Sequence, residues 1–304
     1  MALTGRDFLA MTDLSSTELM EVLGLARDLK AGKECQIGRG KTLGLLFRKA
    51  STRTRVSFSV AMYQLGGQVV DLDPSVTQVG RGEPTSDTAR VLDRYVDALA
   101  IRTFAQEELD LFAYHCRIPV INALTDREHP CQALADLLTM QETFGSLAGL
   151  TLSYIGDGNN VAHSLMLGCA IAGVNVRVAC PDGFMPDGDI IALAQSMART
   201  SEVIVTHEPA RAAGAAHVLY TDVWASMGQE SQAQDRAPIF QPYQVNEALL
   251  TLADPKAIVL HCLPAHRGEE ITDSVMEGSQ SRIWDQAENR LHVQKALLAS
   301  LLAP

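Results

Sequence analysis

The chain has no C-x-x-C pair, no apolar run near the roughly 18 to 20 residues of a membrane span, and no basic excess. Each absence excludes something. Six cysteines (Cys35, Cys116, Cys131, Cys169, Cys180 and Cys262) are scattered along 304 residues, which points to reduced thiols in a cytoplasmic protein rather than a disulfide framework. Lys and Arg total 25 against 36 Asp and Glu, a formal net charge of -11, so neither nucleic acid nor an anionic membrane is expected as the partner. The opening MALTGRDFLAMTDLSS carries acids and no apolar stretch suited to a secretory signal. There is no tandem repeat and no low-complexity tract. What is present, 47% hydrophobic and 20% charged residues, describes a globular protein of two ordinary domains.

Hydrophobic periodicity predicts alternating strands and helices. Residues 15–31 read as an amphipathic helix with Leu19, Leu23 and Leu29 on its apolar face. KTLGLLF (41–47) reads as a buried strand, and VSFSVAMYQLGG (56–67) as a helix with Val56, Val60 and Ala61 on one face, ending at Gly66 and Gly67. QVVDLD (68–73) is a strand, and TQVGRGEP (77–84) a polar, glycine-rich loop. SDTARVLDRYVD (86–97) follows as a helix with Val91, Leu92 and Tyr95 on one side. ALAIRTF and IPVINAL are strands around the helix QEELDLFAYHC. HPCQALADLLTMQETFG (129–145) is a helix with Pro130 at its first position. A second alternating series runs through TLSYIGDG, NVAHSLMLGCAIAG, NVRVAC, GDIIALAQSMA, EVIVT, AAHVLYTDVW and AIVLHCLP. A closing helix spans 281–303. The expected fold is therefore α/β, two doubly wound parallel-sheet domains with the active site in the cleft between them. The expected domains are 1–145 and 146–282, with the helix 283–304 packing back on the first.

Residues 47–58, FRKASTRTRVSF, are the most informative stretch. A strand ends, a helix begins, and Ser51, Thr52, Arg53, Thr54 and Arg55 lie between them. A helix start offers unpaired N–H groups and partial positive charge, so hydroxyls and guanidinium groups gathered there suit a phosphate. Other polar residues sit just past strand ends: Arg102, His129 with Gln132 one helical turn later, Asn159 and Asn160, Asp222, and His261 with Cys262.

S-T-R-T-R-V-S-F, H-P-x-Q-A-x-A-D, D-x-x-x-S-M-G and H-C-L-P occur in order along nearly the whole chain. Together they resemble the ornithine carbamoyltransferases of the aspartate/ornithine carbamoyltransferase superfamily. The resemblance implies that residues 1–145 bind carbamoyl phosphate and residues 146–282 bind L-ornithine. It implies carbamoyl phosphate ligands at Ser51, Thr52, Arg53, Thr54, Gln78, Arg102, His129, Gln132, Cys262, Leu263 and Arg290. Gln78 would reach the site from a neighbouring subunit of a homotrimer with shared active sites, which could assemble further. Ornithine would meet Asn160, Asp222, Ser226 and Met227. Arg53, Thr54, Arg102, His129 and Cys262 would take part in catalysis, with no cofactor and no metal. Arg55 is left outside the site as a residue that could pair with a buried carboxylate instead.

Two other readings stay open on the residues alone. Gly156-Asp157-Gly158-Asn159-Asn160 after a strand is a partial dinucleotide fingerprint, lacking its third glycine but followed by Asp182 beyond the next strand. His261, Cys262 and His266 could ligate zinc, although no second ligand pair stands at the usual spacing. A sister carbamoyltransferase with another amine acceptor is the nearer alternative.

Overall fold

A computed structural model of the chain describes residues 3–73, 82–225 and 230–304. Packing divides the chain into two units: Met1–Ala135 with Asn289–Pro304, and Asp136–Glu288.

The first unit opens with α1 (Ser16–Lys30). Ser15 and Glu18 cap it reciprocally: the Glu18 N–H donates to Ser15 Oγ at 3.3 Å and the Ser15 N–H to Glu18 Oε2 at 2.8 Å. Then come β1 (Thr42–Phe47), α2 (Thr52–Gln64), β2 (Gln68–Leu72), α3 (Thr85–Leu92), β3 (Ala98–Arg102), α4 (Gln106–His115) and β4 (Val120–Leu124). Helix α5 (Pro130–Phe144) starts in this unit. The four described strands pair in parallel in the order β2-β1-β3-β4. Strand order reverses between β1 and β3, and ligands of open α/β sheets collect at the C-terminal strand ends of such a point. Phe47 and Arg102 are partners across these two strands, so the 48–55 segment and Arg102 leave the sheet side by side. Leu46, Leu99, Ile101, Phe112 and Val120 lie in the core beneath them.

The second unit contains β5 (Thr151–Ile155), α6 (Asn160–Ala172), β6 (Asn175–Ala179), α7 (Gly188–Met197), β7 (Val203–Thr206), α8 (Pro209–Ala213), β8 (Val218–Thr221), α9 (Ala233–Phe240), α10 (Glu247–Leu250), β9 (Ile258–His261) and α11 (Asp273–Met276). Its five described strands are parallel in the order β7-β6-β5-β8-β9. The reversal lies between β5 and β8, which release Gly156–Asn160 and Asp222 at their C-terminal ends. Strand β9 delivers Cys262 beside β8. Helix α12 (Ile283–Leu301) closes the chain. The parallel-sheet α/β expectation is met in both units.

Two helix readings differ from the structure, while packing separates the units inside α5, after Ala135, and inside α12, before Asn289. The buried stripe of α2 is Thr54, Phe58, Ala61 and Met62; Val56 is exposed, because the larger Phe58 and Met62 set the phase. Helix α3 stops at Leu92 and buries Thr88, Ala89 and Leu92, leaving Val91 and Tyr95 exposed. Just beyond its end, Asp93 accepts hydrogen bonds from the N–H groups of Arg117 and Ile118. Helices α8 to α11 have no counterpart in the periodicity reading.

Candidate active site

In the first unit the site is built around Arg290 of α12. Its guanidinium is buried and donates to Thr54 Oγ1 at 2.6 Å and to Gln132 Oε1 at 2.7 Å, with His129 Nε2 at 3.4 Å. Arg290 is thus no solvated helix charge. His129 and Gln132, at the start of α5, are almost fully buried, as is Thr54 in the first turn of α2. Burial, reinforced by the guanidinium groups of Arg290, Arg102 and Arg53, holds the His129 imidazole well below its ordinary pKa. A neutral imidazole with Nε2 turned to a guanidinium carries its proton on Nδ1. Gln132 spends one acceptor position on Arg290, so it braces that arginine.

Ser51 is the N-cap of α2, yet its side chain makes no capping hydrogen bond. The ordinary reading of this stretch as a serine cap is therefore not realised. No acidic residue occupies the first turn of the helix. Thr52 and Arg53 are exposed, while Ser51 is half-buried. Arg55 pairs with Asp71 on β2 and lies 5.1 Å from the Phe47 ring centroid, which takes it out of the anion group; its partner is half-exposed rather than buried. Arg102 ends β3 where the pairing register with β4 shifts between Ile101 and Arg102. Such an irregularity re-aims a strand-end side chain. The sequence reading missed Lys49, which is buried between Asp126 (2.6 Å) and the Phe104 ring (4.1 Å).

In the second unit Asp222, Cys262 and Asn159 form one chain of contacts. The Cys262 thiol donates to Asp222 Oδ1 at 3.0 Å, and Asn159 Nδ2 donates to Asp222 Oδ2 at 2.9 Å. Asn159 Oδ1 also caps α6 by accepting from the N–H groups of Val161 and Ala162. Asn160, expected as the ligand, is the first residue of α6 and half-buried. Leu263 has φ +61, a left-handed conformation that costs a non-glycine residue about 1 to 2 kcal/mol, and the peptide before Pro264 is cis. Behind this turn His261 is buried: Nδ1 accepts from the Leu263 N–H at 2.8 Å, and Nε2 lies 2.9 Å from Glu270 Oε1.

Asp157 and Arg236 were also missed by sequence reasoning. Arg236 of α9 donates to Asp157 Oδ2 at 3.1 Å and to the Trp224 carbonyl at 2.9 Å, tying α9 to the turn after β5 and to the segment after β8. Burial pushes the Asp157 carboxyl up to about 6, with Arg236 pulling in the opposite direction. Gln78, Ser226 and Met227 lie outside the described residues.

Ligand atoms of Asp222, His261 and Cys262 lie within 4.8 Å of one another, as do those of His266, Glu269 and Glu270. In the first group the histidine nitrogens and the thiol are already engaged in the hydrogen bonds above, which explains the clustering without an ion. The dinucleotide reading meets a steric objection. A Cβ at Gly158 would sit 2.3 Å from the Pro186 nitrogen, so that glycine accommodates the protein's own backbone.

Two family models match the chain. The aspartate/ornithine carbamoyltransferase carbamoyl-P binding domain covers residues 6–142, and the Asp/Orn binding domain of the same family covers 148–301. The chain belongs to the aspartate/ornithine carbamoyltransferase family. Among curated relatives, the ornithine carbamoyltransferase of Nostoc punctiforme is 68% identical over 302 residues, covering 99% of this chain and 98% of the relative. That of Thermosynechococcus vestitus is 70% identical over 304 residues, covering 99% and 97%. Of solved structures, the ornithine carbamoyltransferase from Pyrococcus furiosus has a TM-score of 0.95 at 48% identity, covering 99% of this chain and 98% of that one. The one from Gloeobacter violaceus has a TM-score of 0.90 at 59% identity, covering 98% of each chain. The carbamoyl-P binding model spans Thr54, His129 and Gln132, and the Asp/Orn binding model spans Asp222, Cys262 and Arg290, although packing groups Arg290 with the first unit.

Proposed function

We propose that the chain transfers the carbamoyl group of carbamoyl phosphate to the δ-amine of L-ornithine, giving L-citrulline and phosphate. The observation that carries this reading is identity of 64–70% along almost the full chain to relatives named ornithine carbamoyltransferase. The domains are assigned as 1–145 for carbamoyl phosphate, with 283–304 packing back on it, and 146–282 for ornithine.

Ser51, Thr52, Arg53 and Thr54 would hold the phosphate together with the helix-start N–H groups of α2, and Arg290 would complete the cationic set. Thr54 Oγ1 accepts from Arg290, which leaves its own hydrogen for donation to a ligand oxygen. Thr54, Arg102 and the Nδ1–H of a neutral His129 would stabilise the oxyanion as the amine adds to the carbonyl carbon. Collapse of the tetrahedral intermediate then expels phosphate, which takes up the proton lost by the attacking nitrogen and whose charge Arg53 stabilises. The Gln132 amide, Cys262 and the Leu263 backbone would meet the carbamoyl NH₂. Gln78 would add a contact from a neighbouring subunit.

The Asp222 carboxylate suits the α-ammonium of an amino acid. Asn160 would donate to the α-carboxylate, with Ser226 and Met227 as further contacts and Cys262 beside the δ-amine. That amine attacks directly and must be neutral. With a pKa near ~10, about 0.1% is neutral at pH 7, a cost of roughly 4 kcal/mol unless the site lowers it. Holding both reactants in register supplies the entropic part of the acceleration.

Synthesis of citrulline towards arginine in the cytoplasm, by a homotrimer that could assemble further, completes the reading. A solved structure from Campylobacter jejuni described as anabolic is 34% identical to this chain. No helix among the described residues is long and apolar enough to cross a membrane. The decisive test is a citrulline assay with ornithine, putrescine, aspartate and N-acetylornithine as acceptors. Activity confined to ornithine is expected, and a preference for any other acceptor would overturn the assignment.

A further inference from the structure

Glu270 lies in H-R-G-E-E, a run that reads as solvated charge, yet its side chain is fully buried. Two anchors place it there. Its carbonyl accepts from the Val245 N–H at 2.8 Å, and Ile271 forms an isolated bridge with Val245. Its Oε1 atom receives two hydrogen bonds, from His261 Nε2 at 2.9 Å and from the His266 N–H at 2.6 Å. These two donors stand on either side of Cys262, Leu263, Pro264 and Ala265. One carboxylate oxygen therefore closes the loop that carries Cys262 and Leu263.

The histidine relays this closure inward. Its Nδ1 accepts the Leu263 N–H, so its single proton resides on Nε2, where Glu270 receives it. A proton on Nδ1 would face the Leu263 N–H and open the turn. The backbone of His261 is held independently, since its N–H donates to Gln286 Oε1 at 2.8 Å. The turn contains Leu263 in a left-handed conformation, which persists only where its surroundings determine it. The His261–Leu263 bond supplies that determination on one side, and the Cys262–Asp222 bond on the other.

We propose that Glu270 is a positioning residue for carbamoyl transfer, acting through His261 to hold the Cys262–Leu263 turn against the reacting amine and carbamoyl group. The proposal rests on the ornithine reading of this site. It assigns Glu270 no contact with substrate. Its contribution belongs to the chemical step and not to phosphate binding, which is built in the other unit.

The test compares Glu270→Ala with the near-isosteric Glu270→Gln, whose amide oxygen can accept both hydrogen bonds. In Glu270→Ala, kcat and kcat/KM for ornithine should fall together by about thirtyfold or more, as for loss of a buried charge-assisted hydrogen bond. Binding of inorganic phosphate, measured by calorimetry, should change less than about twofold in either variant. Glu270→Gln should retain activity to within about fivefold. Long-range proton–nitrogen spectra of ¹⁵N-histidine-labelled parent protein should show His261 protonated on Nε2. Equal losses in both variants, unchanged kcat in Glu270→Ala, or a proton on Nδ1 of His261 would each overturn the proposal. If the parent fails to carbamoylate ornithine, the functional reading falls, while the histidine spectra still report whether Glu270 sets the tautomer.

Discussion

Arg236 reaches from α9 to Asp157 in the turn after β5 and makes a buried ion pair with it at 3.1 Å. The pair crosses 79 residues of sequence and also holds the carbonyl of Trp224, just before the S-M-G stretch. It joins three segments that the sequence presents as unrelated, and it has a measurable pH signature.

Asp157 has a folded-state pKa raised to about 6, chiefly by burial. A raised carboxyl stabilises the fold most below its unfolded pKa, and that contribution is lost as pH rises through 6. Relative to a non-titrating Asp157→Asn variant, the parent should lose up to about 3 kcal/mol between about pH 4 and pH 7. Urea unfolding of both proteins across that range checks the slope. A constant difference would place the carboxyl at its ordinary pKa.

His129 behaves in the opposite sense. Its pKa is depressed in the fold, so its stabilising contribution is present above the ordinary histidine value and is lost as pH falls below about 6.5. Replacement by Gln should reduce the acid sensitivity of unfolding in that window by up to about 1.4 kcal/mol per pH unit. Carbamoyl phosphate binding to the parent should show no inflection near pH 6.5 from this residue, a point calorimetry can check.

Arg53 and Arg290 should separate cleanly when each is changed to Ala. Arg53 is exposed, so its variant should keep the melting temperature while turnover of carbamoyl phosphate falls by at least about a thousandfold. Removing the buried Arg290 takes hydrogen bonds from Thr54 and Gln132, and should cost about 1 to 3 kcal/mol of stability besides activity. Near-normal activity in Arg53→Ala would defeat the phosphate assignment.

Asp222→Asn should raise KM for ornithine by about a hundredfold and change that for carbamoyl phosphate by less than about threefold. The Asn159 and Cys262 donors would then face an amide in place of a carboxylate. Equal losses for both substrates would mean that the acceptor site has been misplaced.

With the parent protein, kcat/KM for ornithine should rise with pH above neutrality, because the neutral amine is the nucleophile. A profile flat from about pH 6 to pH 9 would count against free-amine attack as a controlling feature.

Much of the site is visible in sequence where a residue's role depends on local geometry. Ser51 to Arg55 follow a strand and open a helix, with Ser51 as its N-cap, and His129 and Gln132 share a helix face by spacing alone. Burial is harder to see. Arg290 reads as an ordinary charge on a closing helix, and only tertiary packing carries it to Thr54. Glu270 is hidden by a charged run around it. Arg236 lies in a stretch broken by Pro238, where no apolar period announces a helix. In α2 the spacing of Val56, Val60 and Ala61 marks one apolar face, but packing buries Ala61 with Thr54, Phe58 and Met62 and leaves Val56 exposed.

The unit that carries Arg290 is written in two parts of the gene, separated by all of Asp136–Glu288. During synthesis, domains form in the order in which they emerge. The Ser51–Arg55 segment leaves the ribosome first, and the guanidinium partner of Thr54 from α12 follows 236 residues later. A nascent chain lacking Asn289–Pro304 should therefore present Thr54, Gln132 and His129 without the cation that organises them. Competence for phosphate would be acquired only after the acceptor half has been made.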